Sequence, residues 1–182
     1  MNKKLKFILT TVWILFSRGY DAYSTFLLTP DLSREANPLV TIGGVSSWST
    51  LLFILSILTI YVLYAFYVSE FRPMNLFPKE KNYSFGNFMA YLYLGVNTSW
   101  TKVLYQLPKD MHRLNQYMGH LMTRGLVYFG VVSTIMWLLI DHSDFYKSIH
   151  SAGLIYSILI GGLVVIYYAW NKMMYKEYLA QE

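Results

Sequence analysis

Residues 46–69 run for 24 positions without one charged side chain. A helix needs about 20 apolar residues to cross a bilayer, so this run alone predicts a spanning helix. Residues 119–140 and 148–171 repeat the pattern with few charges, and residues 5–28 form a more polar fourth stretch. Chain-wide, 55% of residues are hydrophobic and only 14% are charged. Water-facing surfaces draw on roughly a quarter charged residues, which this chain lacks. The sequence therefore predicts an all-α integral membrane bundle of four transmembrane helices, folded as a single transmembrane domain over residues 1–182.

Residues 85–106 are aromatic-rich but interrupted by Asn87, Asn97, Thr98, Ser99, Thr101 and Lys102. Tyr91, Tyr93, Trp100 and Tyr105 are of the types that favour the headgroup zone. An interfacial helix over residues 85–106 is the preferred reading, and a fifth span is the alternative. Charge counting separates the two. With four spans and the N-terminus inside, the inner segments hold Lys3, Lys4, Lys6, Arg72, Lys79, Lys81, Lys102, Lys109, Arg113, Lys172 and Lys176. The outer loops hold only Arg34 and Lys147. That bias follows the positive-inside rule and puts both termini in the cytoplasm, whereas a fifth span would move Lys109, Arg113, Lys172 and Lys176 outside.

The same distribution interprets the net charge of +5. The basic residues flank apolar runs, so anionic lipid headgroups of the bilayer are the expected counter-charge and nucleic acid is not an expected partner. The absence of cysteine excludes disulfides, thiolate catalysis and zinc or iron-sulfur sites built on Cys.

Lys3, Lys4 and Lys6 ahead of the apolar run 7–16, with Ala22 and Ser24 beyond it, also fit a cleaved signal peptide. The return of apolar character at Phe26-Leu27-Leu28 favours a first transmembrane helix instead. Its Leu, Ile, Phe and Val side chains supply roughly 3 to 7 kcal/mol of insertion energy, and Arg18 with Asp21 near the centre oppose it by roughly 5 to 7 kcal/mol. Such a helix should insert with its charges paired and turned towards other helices. Arg18 and Asp21, three apart, can pair within it. Ser17, Asp21, Ser24 and Leu28 share one stripe, with Arg18 and Thr25 beside it.

The following loop carries Glu35, and Asn37-Pro38 reads as an N-cap and first helical residue of a short helix interrupted at Gly43-Gly44. The predicted topology brings Asp21, Glu35, Asn37, Asp141, His142, Asp144 and His150 to the extracytoplasmic mouth of the bundle. Carboxylates with imidazoles can bind a divalent metal or act as an acid/base pair. Asp21, Glu35 and His150 are the catalytic candidates; Arg18, Asp21, Ser24, Thr25, Glu35 and Asn37 the ligand-binding candidates; Asp21, Glu35, His142 and His150 the metal candidates. The competing reading makes Asp141 and Asp144 solvated loop acids, Arg18 with Asp21 a structural pin, and Asn37 only a cap. On the inner side, His112, Gln116, His120 and Thr123 share one helix face with Arg124 adjacent. They read as a phosphate or headgroup site, or as the polar entry turn of the third span. Gly153, Gly161 and Gly162 on the fourth span and Gly125 and Gly130 on the third are expected at close helix contacts.

The pattern Asp21-x-x-Ser24-Thr25 followed by Glu35-x-Asn37-Pro38 resembles one in a family of small, uncharacterised prokaryotic integral-membrane proteins. The resemblance covers about the first 40 residues. It implies a single unit made of Asp21, Thr25, Glu35 and Asn37, while the bacterial style of the tails points, by analogy, to a prokaryotic inner membrane. Two functions remain open at this point: a small membrane enzyme or carrier with a polar, metal- or small-ligand-binding cavity, and a non-catalytic accessory subunit of a larger membrane complex or homo-oligomer, docking through residues 85–106.

Overall fold

The computed structural model describes residues 2–33, 35–80 and 82–181. Arg34 and Lys81, two of the loop charges counted above, lie outside them. The described residues form α1 (Lys3–Leu28), α2 (Pro38–Thr41), α3 (Trp48–Phe71), α4 (Phe85–Leu94), a 3-10 turn (Trp100–Leu104), α5 (Met111–His142), α6 (Asp144–Ile149) and α7 (Ala152–Leu179), with no strand among them. The all-helical class holds. Three helices, α3, α5 and α7, are long and apolar enough to cross a membrane. α1 has the length, at 26 residues, but Ser17, Arg18, Asp21 and its threonines dilute its apolar character.

The chain divides into two compact units. The first comprises residues 1–61 and 125–162. Asn2 opens α1 by accepting from the Lys4 N–H at 2.9 Å. Ile14 and Ser17, both fully buried, mark the face of α1 that meets α5. A Cβ at Gly130 would collide with the Ser17 hydroxyl, so the glycine is what lets the two helices approach. The Trp13 indole N–H donates to the Val127 carbonyl at 3.3 Å on the same contact. After α1, Asp31 folds the loop back on itself, accepting from the Ser33 hydroxyl at 2.8 Å and its backbone N–H at 3.1 Å. These bonds, the Ser33 hydroxyl first, hold the Asp31 carboxyl below its ordinary value. Asn37 caps α2 by accepting from the Leu39 N–H at 2.9 Å. Trp48 at the start of α3 donates to the Thr29 carbonyl at 3.1 Å and packs edge-on to Phe26.

The second unit comprises residues 62–124 and 163–182. Its core is aromatic: Tyr83, Phe88, Tyr117, Trp170 and Tyr178 pack with Leu76, Leu92 and Leu121. The tyrosines bury their rings and spend their hydroxyls on partners within the unit, Tyr83 on the Glu80 carboxylate and Tyr117 on the Asn171 amide oxygen. Tyr175 donates to the Tyr83 carbonyl at 2.8 Å and Tyr178 to the Glu80 carbonyl at 3.0 Å. Backbone against backbone, α5 meets α3 at Gly119, where a Cβ would overlap the Ala65 carbonyl.

Two expectations are corrected here. The helix predicted over residues 85–106 ends at Leu94, because Gly95 adopts φ +76° and caps it, and a 3-10 turn follows. Phe88, Ala90, Leu92 and Leu94 are buried in the protein, so α4 is a core element. At 10 residues it is also too short to span. The loop predicted after residue 140 is shorter than expected: α5 continues to His142, and Ser143 caps the short α6 by accepting from the Tyr146 N–H. Of the glycines predicted at contacts on the fourth span, Gly162 abuts Tyr128, while Gly153 and Gly161 face open space.

Candidate functional site

Asp21 lies in the C-terminal third of α1 and is gripped from two sides. Its Oδ2 stands 3.6 Å from Arg18 Nη1, as the spacing of three predicts. Its Oδ1 accepts from the Trp137 indole N–H at 3.0 Å. Arg18 in turn donates through Nη2 to the Ser133 hydroxyl at 3.2 Å. Trp137 and Ser133 sit one turn apart on α5, so a single face of α5 answers both charges of α1. The pair is not sealed: the two side chains keep 29% and 31% of their surface exposed. Alongside this openness, Arg18 Nε and Thr134 Oγ1 are buried without a hydrogen-bond partner among the described residues.

Tyr156 on α7 links this pair to the loop. Its hydroxyl donates to the Ala36 carbonyl at 3.0 Å, and its ring lies within electrostatic reach of both Glu35 and Asp21. Glu35 is half-buried and accepts from the Asn37 N–H at 2.8 Å. Tyr156, a residue with no distinguishing signal in the sequence, thus ties α7 to the loop that carries Glu35 and Asn37. Thr25 is turned away, donating to the Asp21 carbonyl at 2.7 Å within its own helix. Ser24 is half-buried on α1.

The histidines do not complete a metal set. His142 Nδ1 stands 2.9 Å from the Leu138 carbonyl of its own helix and is exposed to water. His150 ends α6 beside the Tyr146 ring, its Nδ1 buried without a partner among the described residues. Among the described residues, no group of three or more His, Asp and Glu side chains could hold a metal ion. The expectation of a divalent metal at Asp21, Glu35, His142 and His150 is therefore corrected, since Asp21 and Glu35 already serve Trp137, Arg18 and the Asn37 backbone.

The second polar constellation, at the start of α5, is largely structural. The Gln116 amide both accepts from the Met74 N–H at 2.7 Å and donates to the Met74 carbonyl at 2.9 Å, acting as a strand-like clamp on the linker. His112 Nε2 stands 2.8 Å from the Arg72 carbonyl. His120 lies against the Trp170 ring, and Arg124 covers the same indole at 5.2 Å while donating to the His120 carbonyl. Glu70, buried, acts electrostatically on Arg124. Thr123 is buried, its hydroxyl without a partner among the described residues.

Sequence reasoning counted Arg113 only as an inner-side charge. It is 6% exposed and donates through Nη1 to the Leu76 and Tyr91 carbonyls at 3.0 and 3.2 Å, and through Nη2 to the Asn75 carbonyl at 3.5 Å. Gly95 makes room for it, because a Cβ there would come within 3.1 Å of its side chain. The glycine turn after α4, adjacent to a run of polar residues, was the available signal. No family model, no curated protein and no solved structure matches this chain.

Proposed function

We propose that the protein is a polytopic protein of a prokaryotic cytoplasmic membrane, with α1, α3, α5 and α7 spanning as four helices and both termini inside. We propose further that Arg18, Asp21, Glu35 and Tyr156 form an extracytoplasmic-side site for a small polar ligand, used as a carrier or membrane enzyme would use it. Three apolar helices and the charge bias of the loops support the membrane reading. α1 crosses as the fourth helix because Trp137 and Ser133 compensate the charges that make it break-even alone.

The observation that carries the site is the half-open Arg18–Asp21 pair. The open side spares the pair part of the desolvation cost of full burial and leaves a face through which a polar group can reach both charges. Here about a third of each charged side chain stays accessible, beside unpartnered buried polar atoms. A ligand with one charged group can take one partner from the other. The test is a thermal-shift screen of the detergent-purified protein against amino acids, small carboxylates, amines and monovalent cations. A compound that raises the melting temperature of the wild type but not of Asp21→Asn supports the site. If no compound acts and Asp21→Asn merely lowers stability, the pair is a pin.

A second reading, an accessory subunit docked in a larger complex, draws on one observation: Trp100, Leu104, Tyr105 and Leu107 are exposed by 56%, 77%, 74% and 81%. Co-purification of a stoichiometric partner that is lost on Leu104→Glu would favour it.

A further inference from the structure

A cleft of about 360 Å³ opens in the second unit, lined among others by Asn75, Lys79, Glu80, Tyr83, Tyr91 and Arg113. That volume is within the range of small-ligand pockets. Its chemistry is set by Arg113, a cation withdrawn from water and held only by neutral backbone carbonyls and the Tyr91 ring, 4.9 Å away. Buried charges ordinarily have a counter-charge. Among the described residues no carboxylate lies within ion-pair distance of Arg113. The carboxylate next to it in sequence, Asp110, spends Oδ1 on the His112 and Arg113 backbone N–H groups. Glu80 also lines the cleft, but its Oε2 accepts from the Tyr83 hydroxyl at 3.3 Å.

The carbonyl bonds use both N–H groups of Arg113 Nη1 and one of Nη2. Among the described residues the other two of the five guanidinium N–H donors have no hydrogen bond, which leaves them for an anion. Lys79 is exposed on the same cleft and adds a second positive charge. Burial, then Glu80, pushes the Tyr83 phenol up to about 12, and its one O–H is directed at Glu80.

We infer that this cleft binds a phosphate group, with Arg113 and Lys79 supplying its counter-charge. The inference is independent of the Arg18–Asp21 site. A phosphate reaches such a cleft either on a lipid headgroup or on a soluble compound, and two probes separate these sources. The full-length protein in neutral detergent is titrated calorimetrically with sodium phosphate and, separately, with dihexanoylphosphatidic acid, at constant ionic strength. Saturable binding is expected, weakened about tenfold by Lys79→Gln, the equivalent of one charge-assisted contact. Lys109→Gln, which removes an exposed lysine away from the cleft lining, should leave it unchanged. Binding of phosphate alone assigns a soluble source; binding of phosphatidic acid with no phosphate binding assigns a headgroup. Absence of saturable binding with both probes overturns the inference, and so does an affinity equal in wild type and Lys79→Gln. Because Lys79 is exposed, its variant tests the site without the folding loss that replacing Arg113 invites.

Discussion

Arg18 and Arg113 are both drawn out of water, and the protein answers their charges in opposite ways. Arg18 has a carboxylate, Asp21, one helical turn away, and both groups remain about a third exposed. Arg113 is almost fully buried and, among the described residues, meets carbonyl oxygens and a tyrosine face. The first is a charge pair with an open side; the second is a lone cation that ties a linker, α4 and α5 together. A paired charge can exchange partners, whereas a lone one organises backbone and attracts an anion. The first unit therefore carries a charge pair with an accessible side, and the second a buried cation that anchors backbone.

Breaking the anchor should have the largest effect. Arg113→Met removes three bonds from a charged donor and takes the Leu76 carbonyl's side-chain partner, while the Tyr91 carbonyl keeps the Gly95 N–H, costing about 3 kcal/mol of unfolding free energy in detergent denaturation. Gly119→Ala probes the same unit without touching charge. Its Cβ must displace the Ala65 carbonyl, an overpacking cost of about 1–3 kcal/mol by the same assay.

At the open pair the penalty should be smaller and reversible. Asp21→Asn strands Arg18, and with both side chains partly solvated the expected loss is about 1–2 kcal/mol. Replacing both, Arg18→Met with Asp21→Leu, should recover at least half of that loss, a coupling read from a double-mutant cycle. If the double variant is worse than either single one, the pair is an indispensable pin and the contrast with Arg113 collapses.

The smallest effect concerns pH. The Tyr83 phenol is raised in the folded protein to about 12 from an ordinary 10.0. The folded state therefore holds this proton more tightly, and its contribution is complete below about pH 10 and lost as pH rises towards 12. Melting temperatures measured between these limits should fall less steeply in Tyr83→Phe than in the wild type.

Much of the first unit was legible because its signals are local. Asn37 caps α2 through Leu39 two residues on, and Arg18 finds Asp21 within one turn. What completes the site is not local: Ser133, Trp137 and Tyr156 lie more than a hundred residues away in sequence and carry no pattern of their own. The second unit was misread for a related reason. The aromatic residues of α4 suit a headgroup zone as well as a protein core, and only tertiary packing against Tyr178 and Tyr175 decides between them. Gly95 is the residue whose left-handed conformation ends the helix, and nothing in the apolar segment around it marks that role. The polar face of His112 and Gln116 was recognised, but its destination, the carbonyls of the 72–74 linker, could not be read from helix periodicity.

Solvent access beside Asp21 tests the central claim most directly. The chain has no cysteine of its own, so Ser24→Cys introduces a single thiol one turn beyond Asp21 on α1. A membrane-impermeant thiol reagent applied to intact cells should label it from the outside, and Asp21→Asn in the same background should change the labelling rate. A thiol that reacts only after the cells are permeabilised, or not at all, would contradict an open extracytoplasmic site at Arg18 and Asp21.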